Sequence, residues 1–172
     1  MIPLTPQLFI TAATAYAAAF PGVGEADRWD DKCPPTSPPL DDAATTCLEF
    51  IHRAGYVSHY DHRVKRSSWP LPPMNHLAEL VAFAAERDVF AARPKAGDIY
   101  LLWSPQLKRF ASAGVIAFVD DVRCLVNGAR AFDCETVGPA DGLAQRRRLS
   151  LANGDRFIRW TALEYGNAGE AA

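Results

Sequence analysis

The chain has 172 residues, 49 % hydrophobic and 22 % charged, and 18 Lys+Arg against 20 Asp+Glu give a formal charge of −2. That size suits one domain with its own core, and the mix excludes a disordered or collagen-like chain. The balanced charge offers no basic field for nucleic acid, and the four cysteines are too few to build a disulfide scaffold.

In chain order, Leu8 to Phe20 is apolar and Ala-rich, broken by Thr11 and Thr14, and the first basic side chain is Arg28. A secretory signal wants Lys or Arg before its apolar stretch, and a membrane helix wants roughly 20 apolar residues. The stretch therefore reads as a soluble helix. Thr5 is its N-cap, Pro6 its first residue and Pro21-Gly22 its stop, with Leu8, Ala12, Ala15 and Ala19 lining one face. The expected location is the cytoplasm, or outside the cell by a non-classical route.

Asp30 to Pro39 carries Pro34, Pro35, Pro38 and Pro39 and reads as an extended loop. A short helix follows and ends at Gly55. Tyr56 to Pro73 reads as a polar, irregular segment. Met74 to Ala92 has helical period, with Leu77, Leu80, Val81 and Ala84 on one face and Asn75 as a cap. Beyond Pro94 the pattern becomes strands: Ile99 to Trp103, Val115 to Val119, Arg123 to Val126, Ala129 to Val137 and Phe157 to Trp160. Asn127-Gly128 between two of them is a hairpin signal. Helices first and an antiparallel meander after them define an α+β chain, one domain over 1–165 with a frayed tail over 166–172.

Thr46 and Glu49 have capping-box spacing, which places Cys47 at the first helical position, where unpaired amides and the helix dipole favour a thiolate. Gly55 is then the left-handed residue that closes the helix. A competing register starts at Asp41 or Asp42 and buries Cys47 mid-helix as a small apolar residue.

Four pieces follow in order: Cys47-Leu48-Glu49-Phe50-Ile51, then Pro94-x-x-Gly97-Asp98-Ile99, Ser112-Ala113-Gly114-Val115-Ile116, and Arg156 to Trp160. Together they resemble the CHAP family of papain-like cysteine amidohydrolases and peptidases, most of which cut bacterial peptidoglycan. The resemblance spans roughly residues 5 to 162. It implies a papain-like fold, Cys47 as nucleophile and a cell-wall peptide as ligand, with no cofactor and no metal.

The chain departs from the family where the chemistry is most demanding. The position of the family's catalytic histidine is Ser112. A histidine takes the thiol proton and returns one to the leaving amine, and serine does neither near neutral pH. Glu135 is an offset match to the family's third residue. Of the four histidines, His52 points away from Cys47 along its helix and His76 opens the next helix, exposed. His59 and His62, in the Tyr56 to Pro73 segment, are the candidates for a substitute base. Tyr60, Arg63, Lys65, Arg66 and Trp69 lie near them in sequence and make that segment a candidate lid. Arg146 to Arg148 reads as a solvated turn, with a carboxylate-binding role open. Cys33 and Cys47 can pair, and a wide hairpin loop would set Cys124 against Cys134. No Cys-x-x-Cys or His ligand spacing suggests zinc.

Three functional readings follow. In the first, the CHAP-like domain has lost or altered hydrolysis and keeps a cleft for a wall peptide or protein partner. In the second, it is an active amidase or endopeptidase using Cys47 and a non-standard base. In the third, it is a small α+β protein unrelated to that family.

Overall fold

The computed structural model describes residues 2–19, 43–74, 76–140, 143–152 and 154–163. The elements run α1 (Pro6–Ala19), α2 (Ala43–Ser58), β1 (Tyr60–Asp61), β2 (Arg66–Ser67), α3 (Leu77–Glu86), β3 (Phe90–Ala91), β4 (Ile99–Ser104), β5 (Arg109–Cys124), β6 (Arg130–Ala140), β7 (Leu143–Leu151) and β8 (Arg156–Ile158), then a 3₁₀ turn at Trp160–Ala162. The chain is α+β: among the described residues there are three α-helices and two antiparallel sheets. β1 and β2 form a small ribbon, and the main sheet has the order β3-β8-β4-β5-β6-β7. The Pro-rich loop, Pro21-Gly22, Cys33, Asp41, Asp42, Asn75 and the 166–172 tail lie outside the described residues.

α1 begins at Pro6, as its sequence signals predict, but the buried face is Phe9, Ile10, Ala13 and Ala17. Leu8 is 40 % exposed, and the expected face through Leu8 and Ala15 is turned outward. The reason is Phe9, whose ring centroid lies 4.8 Å from that of Trp69 and 5.3 Å from that of Trp160. Burying the larger aromatic rotates the helix by one residue, about 100°.

α2 begins at Ala43, so Cys47 is its fifth residue and Thr46 is inside the helix rather than its cap. The longer register lines up Cys47, Phe50, Ile51 and Ala54 on one buried stripe, a gain that outweighs a local capping box. Gly55 does not close the helix, which continues to Ser58. It sits beneath the indole of Trp69, where an added Cβ would come within 2.2 Å of the ring. α3 ends at Glu86, earlier than its periodicity suggested. Asp88 takes a left-handed φ of 54° and Val89 N–H returns to Ala84 O, which frees Phe90 and Ala91 to pair with β8.

The hairpin forms at Asn127-Gly128, with a turn from Leu125 to Gly128 and Gly128 at φ 80°. Cys124 then faces Arg130, and Cys134 faces Val119. Those two thiols are therefore not opposed, and neither they nor Cys47 is in a disulfide. Arg146 to Arg148 is not a turn but the middle of β7, and Tyr60 to Ser67 is a short β-ribbon within a segment expected to be irregular. β8, last in sequence, inserts between β3 and β4.

One sheet face packs on the helices through Ile99, Leu101, Ala113, Val115, Val137 and Ile158. The other carries Tyr100, Ile116, Phe132, Cys134, Leu151 and Phe157. The Pro94-x-x-Gly97-Asp98 turn is held from three sides. Gly97, at φ 92°, lies so close to Pro6 that a Cβ would clash at 2.4 Å, and its carbonyl accepts the Trp160 indole N–H at 2.7 Å. Asp98 accepts Arg159 Nη2 at 2.8 Å and Lys95 N–H at 2.8 Å.

Candidate functional site

Cys47 stands one turn into α2, and Ser112 stands in the first third of β5. The thiol and hydroxyl meet, with Sγ and Oγ 3.6 Å apart. Cys47 is 1 % exposed, while Ser112 is half-buried at the margin of the core. The fold thus brings together the two positions that the resemblance had paired in the sequence. A thiol and a hydroxyl are both weak acids, and neither takes the other's proton near neutral pH.

The structure does not bring the substitute bases to the thiol. His59 lies twelve residues beyond Cys47 on the same chain, about 18 Å along a helix axis. It is fully buried between the rings of Trp69 and Trp160. Its Nε2 accepts the Thr5 backbone N–H at 3.1 Å, so the proton is on Nδ1, which donates toward Gly55 O at 3.1 Å with the Ser58 hydroxyl alongside at 2.8 Å. Burial lowers its pKa below the usual 6.5. It is a core residue that pins the start of α1. His62 is exposed in the β1–β2 ribbon, its ring against Tyr60. His76 is the exposed residue before α3.

His52 is buried on α2 with neither ring nitrogen hydrogen-bonded. Burial, reinforced by the Arg53 charge, lowers its pKa to about 4. Its ring belongs to a small apolar hollow with Leu48, Ile51, Trp69, Leu71 and Met74. Among the described residues, no imidazole hydrogen-bonds to Cys47.

Glu135 does not join the site either. It pairs with Phe118, six residues along β5 from Ser112 and so about 20 Å away along the strand. Its exposed carboxylate binds Arg146 at 2.8 Å. Among the described residues no cluster of three His, Cys, Asp or Glu side chains can share a metal ion. No described helix is long and apolar enough to cross a membrane.

One residue that sequence reasoning passed over stands next to the site. Tyr100 is fully buried, and its hydroxyl lies over Gly114, two residues from Ser112 on the same strand face. A Cβ on Gly114 would come within 2.5 Å of that oxygen, and one on Gly138 within 2.9 Å. Thr136 and the Arg147 guanidinium are its polar neighbours and interact with it. Burial raises the Tyr100 pKa, partly offset by the Arg147 charge. The sequence signal was the pair of glycines on adjoining strands, which left room for a large ring.

No family model, curated protein or solved structure matches the chain.

Proposed function

We propose that this chain is a CHAP-like, papain-type domain whose hydrolysis has been lost or altered and whose cleft binds a cell-wall peptide or a protein partner. The observation that carries this reading is the Cys47–Ser112 pair. It sits where a cysteine–histidine pair would, with the base replaced by a hydroxyl. The hydrogen bond between Asp98 and Arg159 adds support, because it joins two further pieces of the resemblance into one contact. Among the described residues no imidazole stands beside the thiol to serve as base, or as acid for a leaving amine. What remains is a site that can hold an amide without cleaving it.

The test is co-sedimentation with purified peptidoglycan, together with release of soluble fragments. Saturable binding without fragments, retained in Cys47→Ala, is the expected result. Fragments released by the wild type and lost in Cys47→Ala would establish the active alternative, an amidase or endopeptidase. Absence of binding would overturn both wall readings.

A further inference from the structure

Phe9 N–H donates back to Thr5 O at 3.4 Å, which leaves the Thr5 N–H ahead of the helical ladder of α1. That N–H is taken by a side chain 54 residues away, the His59 imidazole, whose Nε2 accepts it at 3.1 Å. Two further contacts hold the same stretch. The Ser68 hydroxyl donates to Ile2 O, and Pro6 lies against Gly97. His59 is fully buried, with the rings of Trp69 and Trp160 at 5.9 and 5.3 Å between centroids. Phe9, in the first turn of α1, meets the same two indoles. One ring nitrogen thus ties the start of α1 to the aromatic core that the helix covers.

The two ring nitrogens respond differently to a proton. Nδ1 already carries hydrogen, and its contacts with Gly55 O at 3.1 Å and Ser58 Oγ at 2.8 Å survive protonation. Nε2 carries hydrogen only in the charged form. It is then a donor aimed at another donor, the Thr5 N–H, and the bond becomes a repulsion. The Trp69 indole, tilted by 33° at 5.9 Å, is within reach of a cation–π contact that helps seat the charged ring. The groups that face His59 are Thr5 before α1, Gly55 and Ser58 of α2, Ser68 and Trp69 after β2, and Trp160 of the 3₁₀ turn, none of which titrates near neutral pH. On α2, His52 responds to Arg53, and Asp98 beside Gly97 is engaged by Arg159 and Lys95; none of these acts on His59. Among the described residues, therefore, no carboxylate is placed to accept the new N–H.

We propose that His59 is an acid-released latch: a proton on Nε2 breaks the bond to Thr5 and frees the first turn of α1 from the Gly97 turn, while the sheet stays folded. The inference goes beyond the wall-binding reading and does not depend on it. Burial holds the ring neutral at and above pH 6.5, so the latch is closed there. The latched state takes the proton less readily than the released one, and falling pH therefore favours release. Opening is local because protonation inverts one contact of the ring and keeps the others. It uncovers the Trp69 and Trp160 rings where Phe9 lies on them.

The experiment is an NMR titration of the full chain from pH 7.5 to 4.5, with amide hydrogen exchange measured along it. The His59 ring and the Thr5 amide should shift at one common midpoint, below 6.5. Across that midpoint the protection factors of the Thr5 and Phe9 amides should fall about tenfold, while those of β4 and β5 hold. In His59→Gln the side-chain oxygen can accept the Thr5 N–H at every pH, so protection there should no longer depend on pH. Should that variant fail to fold, the wild-type midpoints decide. Separate midpoints for His59 and Thr5, Thr5 protection that survives the charging of His59, or loss of α1 together with β4 and β5 would each overturn the proposal. So would an unchanged acid response in a folded His59→Gln variant.

Discussion

Cys47 and Ser112, 65 residues apart in sequence, meet with sulfur and oxygen at 3.6 Å. The contact sets a buried thiol against a hydroxyl, which is not a base near neutral pH. Placing a base at that contact is a direct test of the proposed reading. Ser112→His places an imidazole within reach of the sulfur, and iodoacetamide labelling of Cys47 at pH 7 should rise at least tenfold over the wild type. Peptide mapping is needed to read the site, since Cys124 is exposed and will label in both proteins. An unchanged Cys47 rate in a folded Ser112→His variant would mean that the two side chains do not share a working geometry.

Gly55→Ala should destabilise the protein, although alanine is the better helix former. Propensity alone favours alanine by about 1 kcal/mol. The added methyl meets the Trp69 indole at 2.2 Å, and the ring is packed at 4.7 Å from Trp160, so it has nowhere to retreat. A net loss of about 2 kcal/mol in urea unfolding is expected, in the range of overpacked cores.

Acid should weaken the fold through two histidines. His52 is held neutral with its pKa lowered to about 4, and His59 is shifted in the same direction, both chiefly by burial. Unfolded, each titrates near 6.5. The unfolded chain therefore binds more protons as pH falls below 6.5. Stability is whole above that pH and declines as pH drops toward 4, by about 3 kcal/mol for His52 alone. Urea midpoints between pH 7.5 and 4 should fall accordingly, and His52→Phe should flatten the slope. An equal slope in that variant would assign the acid sensitivity elsewhere.

The Asp98–Arg159 pair should be costly to break from one side only. Asp98 is 4 % exposed, and burial pushes its carboxyl pKa up against the pull of Arg159. Arg159→Leu strands that carboxylate and should cost about 3 kcal/mol. Adding Asp98→Asn should restore part of the loss, because an amide needs no counter-charge. A double variant weaker than Arg159→Leu alone would contradict this account.

The legible parts of the sequence were those in which local pattern and tertiary demand agree. The apolar runs from Ile99 and Val115 form strands buried on both faces at their starts, and Asn127-Gly128 forms the turn it signals. The Cys47–Ser112 proximity was legible only through the spacing of the resembled pieces. Where packing overrode local chemistry, the reading failed. Gly55 looks like a helix stop until Trp69, fourteen residues later, is seen to lie on it. Thr46 and Glu49 look like a cap until the stripe through Cys47 and Ile51 extends the helix backward. His59 sits among polar neighbours in sequence, yet its ring is enclosed by aromatic residues distant from it. In Arg146 to Arg148 the run of like charges hid the alternation that separates the middle arginine from the other two.

The late strand β8, lodged between β3 and β4, has a consequence for how the chain reaches this state. β4 acquires a neighbour on that side only once residues 156–158 are present, and the Trp160 indole closes the turn at Gly97 only after them. Until then the edge of β4 offers unpaired backbone groups to any other chain. Folding therefore waits on contacts spanning some 60 residues, a slow class of closure, and a ribosome-bound or truncated chain lacking that stretch would be exposed to edge-on aggregation.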